Sequence, residues 1–394
     1  MRICHVAYAY FPADPRVRRE IDALRDAGYD VDVICLRGEN EASVETVHGT
    51  RITRIPLRAR RGGRVRYAFQ YALFFVLSSV ELLRLNRLQK LRVVHVHSLP
   101  DFQVFCSLPL KLRGVRVILD LHEALPEIVA ARFRPRVGSL LIRLARAAEH
   151  LSVLFADEVI TVNDTISHLV MERSEPRREP VVVMNSPDSR VLGVGDVDAL
   201  KRQLGLDSDP TIVYVGGINP ERDLTTLLRA VSSLRDRRPM QVVIAGYGDP
   251  AYVQSLQQMA SGLPTSHAVR FLPRIPQDQV LTYLALSSLG VISYEESPLT
   301  EVAIPTKVFE YAAAGKPMAI ARLRALVDLF GDAAEFFRAG DERDLAVAIE
   351  RILADRLHAE HLADKAREVL QRCSWEIMQR RLLSTYERLS GIGG

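Results

Sequence analysis

Short apolar runs rich in β-branched residues alternate with longer amphipathic stretches along almost the whole of this 394-residue chain. Such alternation is typical of parallel sheets covered on both faces by helices. The first half predicts strands at 2–9, 30–36, 51–57, 93–98, 115–121, 158–162 and 181–184. After residue 190 the pattern restarts, and strands are predicted at 211–217, 241–246, 268–272, 289–294 and 317–321. The chain is therefore predicted to be an α/β protein with two doubly wound, Rossmann-like domains.

The stretch NSPDSRVLGVGDVDALKRQLGL, rich in Pro, Gly, Asp and Ser, separates the two series of strands. A linker is predicted at 185–197, with a first domain over 1–187 and a second over 188–373. The final segment, 374–394, contains a predicted helix, and we expect this helix to pack back on the first domain. Because ligands of open α/β sheets bind at the carboxyl ends of strands, we expect the ligand site in a cleft between the domains.

Composition excludes several classes of protein. The apolar fraction of 48% and the charged fraction of 25% are those of a globular chain. A net charge of +4, without a basic tail, argues against binding of nucleic acid. Cys4, Cys35, Cys106 and Cys373 are too far apart in sequence for a metal or redox motif, so we predict buried thiols in a reducing cytosol. The chain enters a strand directly after Met-Arg, without the features of a signal peptide, so a cytoplasmic location is expected.

The segment 58–90 departs from the alternation of strands and helices. The apolar sequence YAFQYALFFVLSSVELL is flanked by the cations Arg58, Arg60, Arg61, Arg64, Arg66, Arg84, Arg87 and Lys90. The apolar part is short and polar for a membrane span of about 20 residues. We predict a helix that lies on the inner face of the cell membrane, with its cations toward anionic lipid headgroups. The alternative is a helix of the protein core, preceded by a basic segment that is exposed to solvent.

Two glycine turns in the second domain follow predicted strands. In YVGGINPERDLTTLLRAV (214–231) the glycines are Gly216 and Gly217, and Arg222 stands at the mouth of a helix predicted to start near residue 221. In IAGYGDP (244–250) they are Gly246 and Gly248. Glycines allow a backbone to approach a phosphate closely, and arginine can clamp it. Turns of this kind are also common in proteins without phosphate ligands.

The sequence IPTKVFEYAAAGKP (304–317) predicts a short helix with Pro305 in its first turn and a stop at Gly315. Lys307 then lies in the first turn, where the helix dipole disfavours a cation and the free amides favour an anion. A solvated lysine is the alternative interpretation. Together with the two glycine turns, this helix start predicts a site for a nucleotide diphosphate.

Several segments resemble, in order and spacing, the family 4 glycosyltransferases, which have the two-domain GT-B fold. In the second half these are VGGINPERDLTTLLRAV, VVIAGYGDPAY, VRFLPRIPQDQVLTYLALSSLGVISY and PTKVFEYAAAGKPMAIA. In the first half they are DPRVRREIDALRDAGYDVDVIC, LDLHEALPE, TVND and VVVMNSPD. The resemblance covers nearly the whole chain and is most specific over 289–321.

The resemblance implies roles for residues of the second domain. Glu310 matches the glutamate that accepts hydrogen bonds from the ribose hydroxyls of the donor, a task suited to a carboxylate. Arg222 matches the cation that pairs with the diphosphate and stabilises the departing nucleotide. Thr306, Lys307 and Val308 match the helix start whose amides face the diphosphate. The other donor-binding residues are expected to be Gly216, Gly217, Gly246, Gly248 and Arg274.

In the first domain, His122 matches the histidine near the reacting sugar, where it would bind a donor hydroxyl. With Arg222 and Glu310 it forms the expected catalytic set. Glu123 is a candidate for binding the acceptor, or it solvates a loop. His95 and His97 lie on the strand VVHVHS. We expect their side chains to face opposite sides, with His97, near the strand end, facing the site.

Asp14 and Arg16, in FPADPRV, follow the first strand, where the family places contacts to acceptor or phosphate. The alternative interpretation is that Asp14 caps the following helix and Arg16 is solvated. A structural role is likewise the alternative for His122.

Two positions depart from the family pattern. Val302 stands where the first glutamate of the paired motif is expected, and the nearest acid, Glu301, is one residue away. Gly217 replaces the usual arginine of the phosphate loop. The first departure leaves the donor sugar unspecified, and the second leaves Arg222 and Lys307 to supply more of the positive charge.

The resemblance implies a retaining, metal-independent glycosyltransferase of the hexosyltransferase type, with a nucleotide diphosphate sugar as co-substrate and no cofactor. No Asp-x-Asp motif stands at a strand end, so no metal site is expected. The acceptor is expected to be a glycan, a lipid-linked or a small molecule, in cell-envelope or exopolysaccharide synthesis. The alternatives are a nucleotide-sugar epimerase of the same fold and a non-catalytic protein that binds sugar nucleotides.

Overall fold

The computed structural model of the protein describes residues 1–59, 64–133, 139–186, 193–234, 237–263 and 268–391. The chain divides into two compact units. The first unit comprises Met1–Asn185 and Glu376–Gly394, and the second comprises Ser186–Trp375. Part of the predicted linker, residues 187–192, lies outside the described residues, as do Arg60 and Arg61.

The first unit contains one eight-stranded sheet in the order β3-β4-β2-β1-β5-β6-β7-β8. Its strands are β1 Arg2–Tyr10, β2 Asp30–Leu36, β3 Val44–Val47, β4 Thr50–Ile55, β5 Val93–His97, β6 Arg116–Leu121, β7 Glu158–Thr161 and β8 Val181–Val182. All neighbours are parallel except β3 and β4, which form an antiparallel pair at the edge. The predicted parallel sheet is confirmed, and the edge strand β3 was missed.

In the described part of the first unit, six helices precede the last strand: α1 Pro15–Asp26, α2 Arg64–Gln89, α3 Leu108–Lys111, α4 Leu125–Phe133, α5 Leu140–Phe155 and α6 Asp164–Ser174. A 3-10 helix over Asp101–Ser107 leads into α3. The helix predicted in the segment 58–90 is therefore present as α2. It buries Phe74, Leu82 and Leu85 completely or nearly so. This burial fixes one side of α2 against the first unit.

The second unit contains two three-stranded parallel sheets, in the orders β11-β10-β9 and β12-β13-β14. The strands are β9 Thr211–Ile218, β10 Gln241–Gly248, β11 Val269–Leu272, β12 Gly290–Ile292, β13 Met318–Ala321 and β14 Glu335–Phe337. The helices are α7 Val197–Gln203, α8 Leu224–Leu234, α9 Pro250–Gly262, α10 Val280–Ala285, α11 Thr306–Ala313, α12 Arg324–Phe330, α13 Glu342–Ala354 and α14 Arg356–Arg372. The short strand β14 was not predicted.

Side chains join the two sheets of the second unit along β9. The amide of Val213 donates to Ser287 Oγ at 3.0 Å, and Tyr311 Oη donates to the carbonyl oxygen of Val213 at 2.6 Å. A β-carbon on Gly290 would lie 2.5 Å from Cγ of Tyr311, so glycine is needed for this ring to reach β9. The backbone N–H and C=O groups of the buried Val213 are thus satisfied by side chains instead of by a ladder between β9 and β12.

The last helix, α15 Trp375–Ser390, packs within the first unit although it follows the second unit in sequence. Met378, Leu382 and Tyr386 are buried. Elsewhere in the chain, the four cysteines are buried thiols that form no disulfide bonds, which confirms the prediction of buried thiols.

Candidate active site

The carboxyl ends of β9 and β10 and the start of α11 line a cavity of about 230 Å³ in the second unit. The cavity gathers most of the predicted donor-binding residues: Gly216, Gly217, Gly246, Arg274, Thr306, Lys307 and Glu310. This position agrees with the general rule that open α/β sheets bind ligands at the carboxyl ends of their strands. Arg222, Gly248 and Val308 do not line it.

Two glycines allow the walls of the cavity to come together. Gly216 and Gly246 are neighbours in the register of β9 and β10, and each has a φ of 149°. A β-carbon on Gly216 would overlap Nζ of Lys307, and one on Gly246 would overlap the carbonyl oxygen of Gly216. Larger residues would therefore separate the strands or displace the lysine. Gly248 has a related role outside the cavity, because its β-carbon would overlap the carbonyl oxygen of Ile218.

Lys307 provides a cation at the start of α11. Its Nζ lies 5.2 Å from the ring centroid of Tyr214, whose hydroxyl donates to the carbonyl oxygen of Gly217 at 2.7 Å. Burial lowers the pKa of Lys307; Glu310 opposes this shift, and the positive charge of Arg222 adds to it. A lysine held near another cation favours an anionic ligand, because the anion offsets both burial and repulsion.

Glu310 lies one helical turn after Thr306 and lines the same cavity. Burial raises the pKa of its carboxyl, while the charge of Lys307 and a hydrogen bond with Thr306 lower it. The arrangement places a carboxylate one turn from the helix start. Hydroxyl groups of a ligand anchored at that start are its natural partners.

Val308 has a different role from the one expected. Its side chain is fully buried, and its amide donates to the carbonyl oxygen of Pro305 at 3.2 Å. The first amides of a helix have no partner within the helix. The amides of Thr306 and Lys307 are therefore the ones suited to an anion at this helix start.

The predicted helix start near residue 221 is wrong. A 3-10 turn covers Pro220–Arg222, Asp223 adopts a left-handed φ of 42°, and α8 begins only at Leu224. Arg222 therefore lies on the turn between β9 and α8. Its guanidinium carbon is 4.3 Å from the ring centroid of Tyr294, a cation–π contact that orients the side chain.

Glu301 does not replace the expected glutamate at Val302. Its Oε2 accepts from the amide of Arg324 at 2.8 Å and thereby caps α12. Val302 is buried. Neither residue lines the cavity.

In the first unit, His122 follows β6 and is 6% exposed. Its Nε2 lies 3.0 Å from Oδ2 of Asp120, and Nδ1 of His97 lies 2.9 Å from the same oxygen. The prediction that His95 and His97 face opposite sides is wrong. Residues two positions apart on a strand share a face, and these two rings stack with centroids 4.4 Å apart.

Asp14 caps α1 and binds Arg16. Its Oδ1 accepts from the Arg16 amide at 3.0 Å, and its Oδ2 accepts from Nη2 at 2.9 Å. Burial would raise the pKa of Asp14, but the hydrogen bonds and charge of Arg16 outweigh it, so the pKa lies below the usual range. Arg16 also interacts with Glu123, which is exposed. The structure thus brings Asp14, Arg16, Glu123 and His122 into one neighbourhood.

Several large apolar side chains of α2 are exposed. Phe69, Val76 and Val80 are exposed by 65%, 55% and 55%. Within α2 the stretch Arg66–Gln89 is long and apolar enough to cross a membrane, by length and composition only. In its most apolar window, 28% is buried in the protein.

Two family models match the chain. The Glycosyl transferase 4-like domain matches residues 13–186, and Glycosyl transferases group 1 matches residues 196–369. An uncharacterised glycosyltransferase of Methanocaldococcus jannaschii is 22% identical over 91% of this chain and 90% of its own length. The N-acetyl-alpha-D-glucosaminyl L-malate synthase of Bacillus anthracis is 20% identical over 82% of this chain and 80% of its own.

Solved structures share the whole fold. Sucrose-phosphate synthase from Thermosynechococcus elongatus superposes with a TM-score of 0.79 and 17% identity, covering 100% of both chains. The Anabaena protein HepE in complex with UDP gives a TM-score of 0.71 and 16% identity, covering 98% of this chain and 100% of that one. These likenesses identify the fold as GT-B. With the two family models, they show that the chain belongs to the family 4 type of GT-B glycosyltransferases and is a transferase enzyme.

Proposed function

We propose that this protein transfers a sugar, with retention of anomeric configuration, from a nucleotide diphosphate sugar to a glycan, lipid-linked or small-molecule acceptor. The second unit binds the donor, and the first binds the acceptor. The observation that carries the proposal is the cavity at β9, β10 and α11, which combines a helix start, Lys307 and a carboxylate at Glu310. Neither an epimerase nor a non-catalytic binding protein is favoured by the matches to transferases.

The donor is proposed to lie with its diphosphate at the start of α11 and its ribose at Glu310. HepE, with the same fold, has been solved with UDP and with UDP-glucose. A diphosphate at this helix start would explain why a cation is tolerated there, since the anion compensates the unfavourable dipole. The sugar is left open because Val302 stands in place of the expected glutamate.

In the proposed reaction, the acceptor hydroxyl attacks the anomeric carbon on the same face of the sugar from which the diphosphate leaves. The bond from this carbon to the phosphate oxygen breaks, the bond to the acceptor oxygen forms, and the acceptor proton passes to the leaving phosphate. Arg222 and Lys307 stabilise the charge that develops on that phosphate. We propose that these side chains act without a metal ion.

Nucleotide binding is tested by thermal shift with UDP, GDP, ADP and their sugars. A ligand at about 100 times its dissociation constant stabilises the folded protein by about 2.7 kcal/mol. Glu310→Ala should abolish the shift. Glu368→Ala, which removes an exposed glutamate of α14, is the matched control and should respond like the parent. A full shift in Glu310→Ala would contradict the proposed donor site.

The acceptor is proposed to be held at a membrane in cell-envelope or exopolysaccharide synthesis, with the protein peripheral on the cytoplasmic face. The support is a stripe of exposed apolar side chains on α2, formed by Phe69, Val76 and Val80. The exposed cations Arg84 and Arg87 follow this stripe within the same helix. The side chain of Arg84 is 69% exposed. An apolar stripe beside exposed cations suits the interface of an anionic bilayer.

Membrane binding is tested by flotation with vesicles of phosphatidylglycerol and phosphatidylcholine. The double variant Val76→Ser, Val80→Ser should lose binding, because it removes apolar surface that would enter the interface. Arg84→Gln with Arg87→Gln should weaken binding to anionic vesicles in particular. Val347→Ser, at an exposed valine of the second unit, is the control. Equal flotation of all variants would contradict a membrane role for α2.

A further inference from the structure

The first unit contains a buried cluster of four histidines on β1, β5 and the end of β6. The rings of His5 and His95 have centroids 4.5 Å apart, and those of His97 and His122 are 5.2 Å apart. We propose that Asp120 is a positioning residue for His122. It holds the imidazole with its proton on Nε2, so that Nδ1 accepts a hydrogen bond from a substrate hydroxyl. The identity of that hydroxyl rests on the proposed function. The tautomer of His122 rests on the geometry alone.

The geometry around one carboxylate oxygen carries the assignment. Oδ2 of Asp120 lies 2.9 Å from Nδ1 of His97 and 3.0 Å from Nε2 of His122, and these two nitrogens are 2.9 Å apart. A nitrogen lone pair aimed at a carboxylate oxygen at this distance would be repelled. Because the carboxylate is a stronger acceptor than a neighbouring imidazole, we assign each nitrogen a proton that it donates to Asp120. The 2.9 Å approach of the two nitrogens is then a contact between two donors that share one acceptor oxygen. When the imidazole is neutral, Nδ1 of His122 is then a hydrogen-bond acceptor.

That acceptor is available to a ligand. Nδ1 of His122 is buried and has no hydrogen-bond partner among the described residues. Its backbone is fixed, because the His122 amide donates to Oγ of Ser98 at 3.2 Å. A buried polar atom without a partner is costly unless a ligand or water satisfies it. Nδ1 thus suits a hydroxyl donor.

Hydrogen bonding explains the spacing better than a metal ion does. His97, Asp120 and His122 have ligand types that a transition metal accepts. Tetrahedral zinc with ligands at 2.0–2.1 Å separates them by about 3.3 Å. The separations of 2.9 and 3.0 Å between Oδ2 of Asp120 and the two histidine nitrogens are shorter and lie in the range of N–H···O hydrogen bonds.

The remaining histidines hold Asp120 and His97 in place. Since Nδ1 of His97 donates to Asp120, its Nε2 accepts, and Nδ1 of His5 lies 2.9 Å from it. Burial would raise the pKa of Asp120, but His122 and the hydrogen bonds of the histidines hold it well below its usual range. The hydroxyl of Tyr386 on α15 lies 3.4 Å from Nε2 of His5 and 2.5 Å from Nδ1 of His95. The network therefore reaches from His122 to the last helix of the chain.

The tautomer is tested by ¹⁵N NMR of the histidine rings in the full-length protein, with His122→Gln to assign the signals. We expect His122 in the parent to be protonated on Nε2 and bare on Nδ1. In Asp120→Asn the Nε2–H population should fall, and in Asp164→Asn, at an exposed aspartate of α6, it should not. A parent protonated on Nδ1 alone, or signals that change with a chelator, would overturn the proposal. The parent spectrum decides this even where Asp120→Asn does not fold.

Turnover provides a second measurement, with a nucleotide sugar that the thermal-shift screen has shown to bind. Asp120→Asn should lower kcat by about tenfold to a hundredfold. In a His122→Ala background, Asp120→Asn should lower kcat little further, because Asp120 acts through the imidazole of His122. Additive losses in that cycle would overturn the positioning role. Lack of transfer by the parent would contradict the proposed function and leave the tautomer result standing.

Discussion

The ammonium nitrogen of Lys307 lies 5.2 Å from the ring centroid of Tyr214 and occupies the space that a β-carbon on Gly216 would need. Lys307 can therefore hold this position only because residue 216 is a glycine, although the two residues are far apart in sequence. The pairing places the cation against the end of β9, in the wall of the cavity that is proposed to bind the diphosphate.

Gly216→Ala should impair nucleotide binding and stability together. Its φ of 149° is unfavourable for any residue with a side chain, and the new methyl group would displace Lys307. We expect a loss of about 1–3 kcal/mol in the free energy of unfolding and loss of the nucleotide-induced thermal shift. Gly262→Ala is the control, because no atom lies within 4 Å of its added β-carbon. Normal nucleotide binding by Gly216→Ala would show that nucleotide binding does not depend on the position of Lys307.

Arg222 should affect the rate more than the affinity. Arg222→Gln removes a cation proposed to stabilise the leaving phosphate, and we expect kcat to fall by about 10²–10³-fold. Arg222→Lys keeps the charge but loses the planar group over Tyr294, so an intermediate loss is expected. The measurement is nucleotide release at saturating donor. Arg351→Gln, an exposed arginine of α13, should retain the parental rate; an unchanged kcat in Arg222→Gln would exclude this role.

Glu149 should make stability depend on pH. Burial raises the pKa of this carboxyl from its ordinary 4.5 to about 7, although Arg173 opposes the shift. Between these values the folded protein binds more protons than the unfolded chain, so the free energy of unfolding falls as pH rises from 4.5 to 7. Glu149→Gln should remove this dependence and stabilise the protein at pH 8 by at most about 3 kcal/mol. Thermal unfolding at pH 5 and pH 8 measures it.

The control for this pH effect is Glu172→Gln, because Glu172 is exposed on α6. This variant should follow the parent at both pH values. Equal destabilisation by Glu149→Gln at pH 5 and pH 8 would mean that the carboxylate of Glu149 is favourable in the folded protein.

Tyr311→Phe should destabilise the second unit by removing the hydrogen bond between α11 and β9. The substitution leaves the carbonyl oxygen of Val213 without the hydroxyl that donates to it at 2.6 Å. We expect a loss of about 1–3 kcal/mol in the free energy of unfolding, measured by denaturant titration. Tyr247→Phe, at a tyrosine exposed by 65%, should be neutral. A stable Tyr311→Phe would indicate that water replaces the hydroxyl.

The sequence predicted most strands and the helix α11 because local patterns decide them. Runs of β-branched residues favour strands, and the proline and glycine at the ends of IPTKVFEYAAAGKP limit one short helix. The edge strand β3 escaped this reasoning, since VETV has few apolar residues and pairs only on one side. The start of α8 was misplaced because the left-handed turn at Asp223 has no glycine to indicate it.

Much of the cavity at β9, β10 and α11 could also be predicted, since its glycines, Lys307 and Glu310 lie in short motifs whose local physics favours a phosphate. The sequence left the use of Asp14 open between a ligand contact and a helix cap, and the uses of Glu301 and Asp120 could not be predicted. Asp14 caps α1 and binds Arg16, and Glu301 caps α12. A carboxylate in the sequence has the same appearance whether it caps a helix, binds a histidine or faces a ligand, because the choice depends on its surroundings.

By itself, therefore, the sequence determined two α/β domains and the residues that line the cavity at β9, β10 and α11, because hydrophobic periodicity, glycine turns and helix signals act over a few neighbouring residues. Only the tertiary structure decided which of the charged and polar groups meet. The parallel order β1-β5-β6 brings His5, His97 and Asp120 side by side, and α15 adds Tyr386. Such contacts depend on the order of strands in a sheet, which joins residues that no local pattern connects.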